Sequence, residues 1–286
     1  MRKIVSAFLL LSIISPMAFG GAFDRIGVGS RPKGMGDAYT AVADDIYSIY
    51  WNPAGLSKVK RKAMALMYKD LYGLGLVDYG FFSYVQPGFG QGTVAFGWTR
   101  LGTSYKVDFL EYAENTFAFA YGANFKRPFR NFSYGIGIKY YLVDYETGRA
   151  SGSGLDLALR YQKDDIALAL VGQDVNTPAI WWQTGNKDTI TPNYRFGFAY
   201  FSDFATLAFD LDQLKSPRAR LHLGIEKWFK KDAFALRAGA FNITESIWNT
   251  TLGATMGIMK DFSLDYAFEI HNELGNTHLL SLNMKF

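Results

Sequence analysis

The sequence predicts an all-β fold, namely a fourteen-stranded antiparallel transmembrane β-barrel plugged by an N-terminal hatch segment. Three observations predict this fold. Apolar and polar residues alternate through most of the chain, as they do where one strand face meets lipid and the other meets water. A short apolar run stands near the N-terminus, and the connections between candidate strands alternate between short and long.

The first twenty residues have the features of a secretion signal. Arg2 and Lys3 precede an apolar run at 4–14, and the stretch 18–20 (AFG) supplies the small residues of a cleavage site. The run is shorter than the roughly 18 residues that a membrane-spanning helix needs. We therefore expect residues 1–20 to direct export. The sequence contains no cysteine, which excludes disulfides, thiolate metal sites and a cysteine nucleophile.

The composition argues against a nucleic-acid-binding protein. Lys and Arg number 30 against 26 Asp and Glu, and two of the basic residues belong to the signal. Such a near balance differs from the clustered basic charge of a nucleic-acid binder. Aromatic residues make up 17% of the chain and the mean hydropathy is -0.02. This average fits a barrel with one lipid-facing and one water-facing surface, although an exported soluble β-protein is an alternative.

The period of the alternation is two residues, which is the period of a strand. In DFSLDYAFEI (261–270) one face carries Phe262, Leu264, Tyr266, Phe268 and Ile270, and the other carries Ser263, Asp265, Ala267 and Glu269. Helical spacing would scatter these residues around the axis, so strands fit and helices do not. The pattern predicts fourteen strands, at 62–71, 78–86, 92–101, 112–125, 131–145, 152–162, 165–173, 191–201, 204–212, 218–229, 232–241, 248–259, 261–270 and 276–286.

The connections between these strands fall into a short and a long set. Those after even-numbered strands are short, for example KRPFR and KDD, whereas the opposite set includes 102–111, 145–151 and 174–191. Outer-membrane barrels have short periplasmic turns and longer outer loops, so the first strand is expected to run outward. The last strand ends in Phe286 and resembles the C-terminal signal that the bacterial barrel-assembly machinery reads.

Residues 21–61 precede the first strand and lack its alternation. RPKGMGDAYTAVADD predicts a glycine-hinged turn and a short helix, and Pro53 ends the segment. A barrel of about fourteen strands encloses a wide lumen, so we expect this segment to fill it, with Tyr47, Ile49, Tyr50 and Trp51 against the wall. The expected organisation is a signal peptide at 1–20, a plug at 21–61 and a transmembrane barrel at 62–286.

The stretch GSRPKGMGDAYTAVADDIYSIYWNPAGL (29–56) resembles the N-terminal hatch of the FadL long-chain fatty acid transporter superfamily, most closely its PorV/PorQ-type outer-membrane protein branch. A Gly-Met-Gly, an Ala-Asp-Asp and a Trp-Asn-Pro-Ala-Gly-Leu occur in that order. The hatch-motif residues are Gly34, Met35, Gly36, Asp44, Asp45, Trp51, Asn52, Pro53, Ala54 and Gly55. The resemblance implies a fourteen-stranded barrel that is closed by its own N-terminus.

The resemblance also implies passive uptake of hydrophobic small molecules such as long-chain fatty acids. Trp181 and Trp182, in the longest predicted outer loop, are candidate ligand-binding residues because an apolar patch of this kind is costly to leave in water. An interfacial aromatic belt is the alternative role for them.

Basic residues expected in the lumen form a second group of candidates. They are Arg100, Lys139 and Arg160, together with Arg195 and Arg237. These side chains are able to pair with a ligand carboxylate. The alternative is a charge ladder with the lumenal acids Asp156, Asp210, Asp212, Glu226, Asp265 and Glu269.

A different function class is left open by the same resemblance. A PorV-like component of a type IX protein-secretion system uses such a barrel to receive secreted proteins at the outer membrane. An enzyme is not expected, because His222, His271 and His278 are scattered and no Gly-x-Ser-x-Gly elbow accompanies them.

No cofactor or metal site is expected from this sequence. Asp44 and Asp45 are compatible with a cation site, but helix-terminal capping or hydrogen bonding within the plug is the expected role. The expected location is the outer membrane of a Gram-negative bacterium. The expected partners are outer-membrane lipids, the barrel-assembly machinery, and either a hydrophobic ligand or secreted proteins.

Overall fold

The computed structural model describes Phe23 and residues 25–103, 112–145, 148–213, 219–229, 233–242, 247–271 and 275–286. The expected signal peptide at 1–20 lies outside these residues. Sixteen strands follow one another in the described chain. They are β1 (Ala63–Asp70), β2 (Val77–Phe89), β3 (Gly92–Thr103), β4 (Tyr112–Asn124), β5 (Phe132–Tyr145), β6 (Gly148–Lys163), β7 (Ile166–Gln173), β8 (Ala179–Trp182), β9 (Lys187–Thr189), β10 (Asn193–Phe201), β11 (Thr206–Asp212), β12 (Arg220–Phe229), β13 (Phe234–Asn242), β14 (Trp248–Met259), β15 (Phe262–Ile270) and β16 (Thr277–Lys285).

Fourteen of these strands form a closed antiparallel barrel, which confirms the predicted fold class. The barrel closes where β1 pairs with β16, in the register Ala63↔Lys285. Closure satisfies the backbone hydrogen bonds of every strand and leaves no open sheet edge, as a membrane-spanning barrel requires. No helix in the described part of the chain is long and apolar enough to cross a membrane.

The two remaining strands, β8 and β9, form a hairpin that the alternation does not predict. The hairpin lies within 174–191, which was expected to be a loop, and it pairs with the start of β6 through Ala150↔Trp182. A strand of four residues and one of three are too short to show a period of two. β6 begins at Gly148 rather than at the predicted residue 152 because its pairing with β5 extends to Tyr145↔Gly148.

The two faces of the barrel follow the predicted alternation. In β15, Asp265 and Glu269 are buried toward the lumen, whereas Tyr266 and Ile270 are exposed on the outer face. The barrel therefore has its apolar surface outside and its charged side chains inside, as expected where lipid surrounds it.

Among the described residues that precede β1, those up to Lys58 lie inside the barrel. Their regular elements are α1 (Ser30–Gly34), α2 (Ser48–Trp51) and a 3₁₀ helix at Pro53–Lys58. We term residues 30–58 the plug, and Phe23 with residues 25–29 the tail. The plug contacts strands around the wall: Ser30 bonds to Ser281 of β16, Gly36 to His222 of β12, and Ala41 to Arg160 of β6.

Candidate ligand-binding site

A charge cluster around the largely buried Arg31 side chain anchors the plug to the wall. The Arg31 guanidinium lies 2.8 Å from Glu226 of β12, 2.7 Å from Asp44 and 2.8 Å from Asp45. The Tyr39 hydroxyl donates a 2.7 Å hydrogen bond to Asp45. Burial opposes the positive charge, but the surrounding carboxylates outweigh it and raise the pKa of Arg31. Both motif aspartates thus bond within the plug, as predicted.

The Trp-Asn-Pro-Ala-Gly motif forms a rigid corner of the plug. The indole Nε1 of Trp51 donates to the carbonyl of Val28 at 2.9 Å. The Asn52 side chain donates to the carbonyl of Thr40 at 2.6 Å and accepts from the amide of Ala54 at 3.0 Å. Asn52 thereby caps the following 3₁₀ helix and ties it to the preceding turn.

Glycines allow the plug backbone to touch the barrel wall. A Cβ at Gly135 of β5 would lie 2.2 Å from the amide nitrogen of Ala54, and one at Gly36 would lie 2.6 Å from that of Ala240. Cβ atoms do not approach backbone atoms so closely, so both positions require glycine. Lumen-facing glycines that meet the plug in this way are Gly122, Gly135, Gly197, Gly224, Gly239 and Gly253. Within the plug, Gly34 meets Gly253 and Gly55 meets the carbonyl of Ala43.

Two cavities lie between the plug and the barrel end that carries the long connections. One, of about 60 Å³, borders β2, β3, β4 and β5. The other, of about 230 Å³, borders β1, β7 and the strands from β10 to β15. The tail separates them, and Arg25, Ile26, Tyr50 and Gln173 line both. We term them the apolar cavity and the polar cavity, after the linings described next.

The apolar cavity is lined mainly by hydrocarbon and aromatic groups. Ile49 comes from the plug, Tyr79 and Phe81 from β2, Leu101 from β3 and Ala118 from β4. A cavity needs roughly 10–15 Å³ to hold one water molecule, so the volume of the apolar cavity is larger than one water requires. Removing an apolar ligand from water into such a lining is favourable. The chemistry of the cavity therefore suits a small hydrophobic molecule.

A charged network closes one side of the apolar cavity. Arg25 lies 2.7 Å from Asp174, Lys139 lies 2.9 Å from Asp156, and the Tyr141 hydroxyl donates to Asp174. Burial favours the neutral form of Asp174, but Lys139 and Arg25 outweigh burial and hold its pKa below the ordinary value. Both cations of this lining already have carboxylate partners, which favours an uncharged ligand over a carboxylate.

The polar cavity is lined by charged and hydrogen-bonding groups. Lys33 lies 2.5 Å from Asp37 and 3.4 Å from Glu269, and the buried Lys69 ammonium lies 3.4 Å from the carbonyl of Ile26. Five buried polar atoms on its wall have no hydrogen-bond partner in the described part of the protein: Arg25 Nε, Asp37 Oδ1, Asp212 Oδ1, His222 Nε2 and Asn249 Oδ1. Such groups need water or a polar solute, so a hydrocarbon does not fit there.

Of the basic candidate residues, Lys139 lies at the apolar cavity and Arg160 does not. The Arg160 guanidinium instead donates to the carbonyl of Ala41 at 3.0 Å and to Gln162 at 2.8 Å, which holds the plug. The predicted lumenal position of Arg100 is wrong. Arg100 is exposed on the outer face together with Trp98, while Leu101 faces the lumen. The period of two already places Arg100 and Trp98 on the same side.

The other lumenal charges pair across neighbouring strands. Arg195 lies 3.1 Å from both Asp210 and Asp212, and Arg237 lies 2.6 Å from Glu226. These contacts form the charge ladder that was the alternative to ligand binding, and both arginines already have carboxylate partners.

The two tryptophan candidates have different surroundings in the hairpin. Trp181 is 57% exposed, and its ring lies 5.6 Å from the ammonium of Lys187. The Trp182 indole donates to Asp188 at 2.7 Å and packs against a buried cluster that includes Phe23 and Tyr141. Trp181 is therefore accessible to a ligand, whereas Trp182 holds the hairpin.

Each histidine has structural contacts. His222 bonds to the carbonyl of Gly36 at 2.8 Å, His271 to Asn249 at 2.8 Å, and His278 to the hydroxyl of Tyr266 at 2.7 Å. No serine takes part in these hydrogen bonds.

The sequence interpretation missed the residues that line the apolar cavity. Tyr79, Phe81 and Leu101 stand at lumen-facing positions of their strands, where most neighbouring strands carry polar residues or glycine. Large apolar residues at lumen-facing positions are the sequence feature from which this cavity lining could have been predicted.

No protein-family model matches this chain, and no curated protein matches it in sequence. Solved structures do resemble it. The CymD monoaromatic hydrocarbon channel aligns over 93% of this chain and 99% of its own, with a TM-score of 0.64 and 14% identity. The toluene transporter TodX of P. putida aligns over 92% of this chain and 99% of its own, with a TM-score of 0.59 and 13% identity.

The fold, a closed fourteen-stranded antiparallel barrel, is similar to that of these two hydrocarbon-transporting proteins. At these identities the likeness concerns the fold alone. Within the barrel of this chain, the plug fills the lumen and the apolar cavity is the compartment whose lining suits a hydrophobic ligand.

Proposed function

We propose that this protein is a Gram-negative outer-membrane barrel that mediates passive uptake of small, uncharged hydrophobic molecules. The apolar cavity is the observation that carries the proposal. Its lining combines Phe81, Leu101 and Ala118 with charged groups that are already paired. Similarity of fold to proteins named as a monoaromatic hydrocarbon channel and a toluene transporter supports the same class of ligand.

The route that we propose begins at the barrel end with the long connections. A hydrophobic molecule would contact the exposed ring of Trp181, enter the apolar cavity and leave after the plug shifts. The molecule would move down its own concentration gradient, so uptake would need no energy source. Assembly into the outer membrane would depend on recognition of the strand that ends in Phe286.

Filling the apolar cavity tests the proposal. Ala118 faces the cavity from β4, whereas Ala113 lies on the outward side of the same strand. Ala118→Phe should lower toluene binding to the purified protein by about tenfold or more, because the added ring removes the available volume. Ala113→Phe introduces the same ring outside the lumen and should leave binding unchanged.

Binding would be measured by the retention of deuterated toluene in mild detergent, with palmitate as a second probe. If both variants lost toluene binding to the same extent, or if neither lost it, the apolar cavity would be refuted as the binding site. Palmitate bound more tightly than toluene would extend the ligand class to long-chain fatty acids. Copurified secreted polypeptides without a bound small molecule would favour the type IX secretion role.

A further inference from the structure

The two ends of the barrel differ in charge. Among the described residues, the end with the short turns carries ten exposed or half-buried basic side chains, which are Lys60, Arg61, Lys62, Lys126, Arg127, Arg130, Lys163, Lys227, Lys260 and Lys285. Its acidic residues are Asp164, Asp165, Asp203 and Asp261. At the opposite end the exposed or half-buried charges nearly balance, with the acidic residues Asp70, Asp78, Asp144 and Asp188 against the basic residues Arg25, Arg100, Arg149, Lys187 and Arg220. We term the basic end the rim.

The rim cations are mostly unpaired within the described part of the chain. Arg61 lies 2.6 Å from Asp261, and the other nine have no carboxylate within ion-pair distance there. Asp164 and Asp165 share the tight turn of Lys163. The rim therefore presents an excess of positive charge to its surroundings.

Large apolar side chains are exposed between these cations. Phe89 is 63% exposed, Phe129 61% and Phe204 68%, all in or beside short turns. The Lys227 ammonium lies 3.4 Å from the centroid of the Phe204 ring. Aromatic rings of this kind are stable at the level of lipid headgroups, where the ring contacts hydrocarbon and the neighbouring lysine extends toward the polar layer.

The rim cations also extend around the barrel. They occur before β1, after β4, at the end of β6, on β12, after β14 and at the end of β16. A soluble acidic protein would contact one side of such a ring, whereas the lipids of one leaflet contact it on all sides. We propose that the rim binds the phosphate groups of anionic phospholipids in the leaflet at the short-turn side.

The proposal predicts selective lipid retention. The full protein is reconstituted into nanodiscs that contain equal amounts of phosphatidylethanolamine and phosphatidylglycerol, and the lipids that remain bound are measured by native mass spectrometry. We expect several-fold enrichment of phosphatidylglycerol, with a decrease as salt approaches about 0.5 M because salt screens exposed charges. Equal retention of both lipids would overturn the proposal.

A pair of charge-matched variants locates the binding. Lys126→Gln with Arg130→Gln removes two cations from the turn after β4, and should reduce the enrichment by about twofold. Arg100→Gln with Arg149→Gln removes two exposed cations from the opposite end and should leave it unchanged. Equal enrichment in the two double variants would overturn the assignment to the rim. Toluene binding, measured on the same samples, is expected to be equal in both, so the outcome is independent of the proposed uptake function.

A soluble partner is distinguished by a second measurement on the unaltered protein. Nanodiscs of phosphatidylcholine alone are titrated with poly-glutamate as an acidic polypeptide. Tight poly-glutamate binding without any preference for phosphatidylglycerol would replace the lipid assignment with an acidic protein partner. Preference for the lipid, with weak poly-glutamate binding, supports the lipid assignment.

Discussion

Arg31 forms ion pairs with three carboxylates inside the barrel. It contacts Asp44 and Asp45 of the plug and Glu226 of the wall, all within 2.8 Å. Removing one partner of a fully buried ion pair costs about 3–5 kcal/mol, but here Glu226 keeps Arg237 as a partner at 2.6 Å and the Asp44 side chain is 41% exposed. We therefore predict that Arg31→Gln lowers the free energy of unfolding by about 2–3 kcal/mol, at or below the low end of that range, as measured by urea unfolding of the refolded barrel in lipid vesicles.

Arg149 provides the control for that measurement. Its pair with Asp144 at 2.7 Å is exposed to solvent, with the Arg149 side chain 71% accessible. Exposed pairs contribute roughly 0–1 kcal/mol, so Arg149→Gln should unfold at nearly the urea concentration of the unaltered protein. An Arg31→Gln barrel as stable as the Arg149→Gln barrel would contradict the role of the buried cluster.

His271 makes stability depend on pH. It follows β15, and burial together with Lys33 and Lys69 lowers the pKa of His271 despite the neighbouring Glu269. A group with a lowered folded pKa contributes stability above its ordinary pKa of about 6.5, and this contribution is lost as pH falls through the folded value. We therefore predict lower thermal stability at about pH 5.5 than at about pH 7.5. His271→Gln should remove this component, whereas His278→Gln, on the outer face, should retain it.

At the scale of elements, the fit of β5 against the plug corner tests how the plug closes the lumen. A Cβ at Gly135 would lie 2.2 Å from the amide nitrogen of Ala54, whereas one at Gly137 finds its nearest atom, the Cβ of Asp156, at 3.4 Å. Gly135→Ala should displace the corner and open the lumen to ions, while Gly137→Ala should not. Conductance in planar bilayers measures the difference, and equal conductance of the two variants would refute the fit.

The two tryptophans of the β8–β9 hairpin are expected to have different roles, one in ligand contact and the other in stability. Trp181 is 57% exposed, whereas Trp182 bonds to Asp188 at 2.7 Å and packs on the buried cluster. We predict that Trp181→Ala slows uptake of labelled toluene without changing thermal stability. Trp182→Ala should lower the stability as well, because it removes buried contacts. Unchanged uptake in a folded Trp181→Ala barrel would exclude the hairpin from ligand capture.

Elements were predictable from the sequence where a period of two continued over several residues. All fourteen barrel strands meet this condition, and DFSLDYAFEI shows it most clearly. The short strands β8 and β9 do not. The two cavities depend on the path of the tail between strands that are far apart in sequence, which no local pattern specifies. The charge of Arg100 suggested a position in the lumen, but the period of two places this residue on the outer face with Trp98.

At the scale of the whole molecule, the residues before β1 divide into two parts with different roles. The plug contacts strands around the barrel and closes the lumen, with Arg31 and the Asn52 corner as its main fixed points. The first residues of the tail lie at the end with the long connections, where Arg25 bonds to Asp174 and to the carbonyl of Thr191, and Gly27 and Val28 then bond to the plug. The barrier to permeation therefore belongs to the plug, and the shape of the binding site belongs to the tail.

Deleting residues 23–27 tests this division. The deletion removes Phe23, Arg25 and Ile26 from the wall between the cavities, so the apolar cavity should merge with the polar one. Toluene binding should weaken by about tenfold, because water then reaches the lining. Ion conductance should stay near that of the unaltered barrel, since residues 30–58 still close the lumen. High conductance in the deletion variant would mean that the tail is part of the barrier, and unweakened toluene binding would mean that the tail does not shape the site.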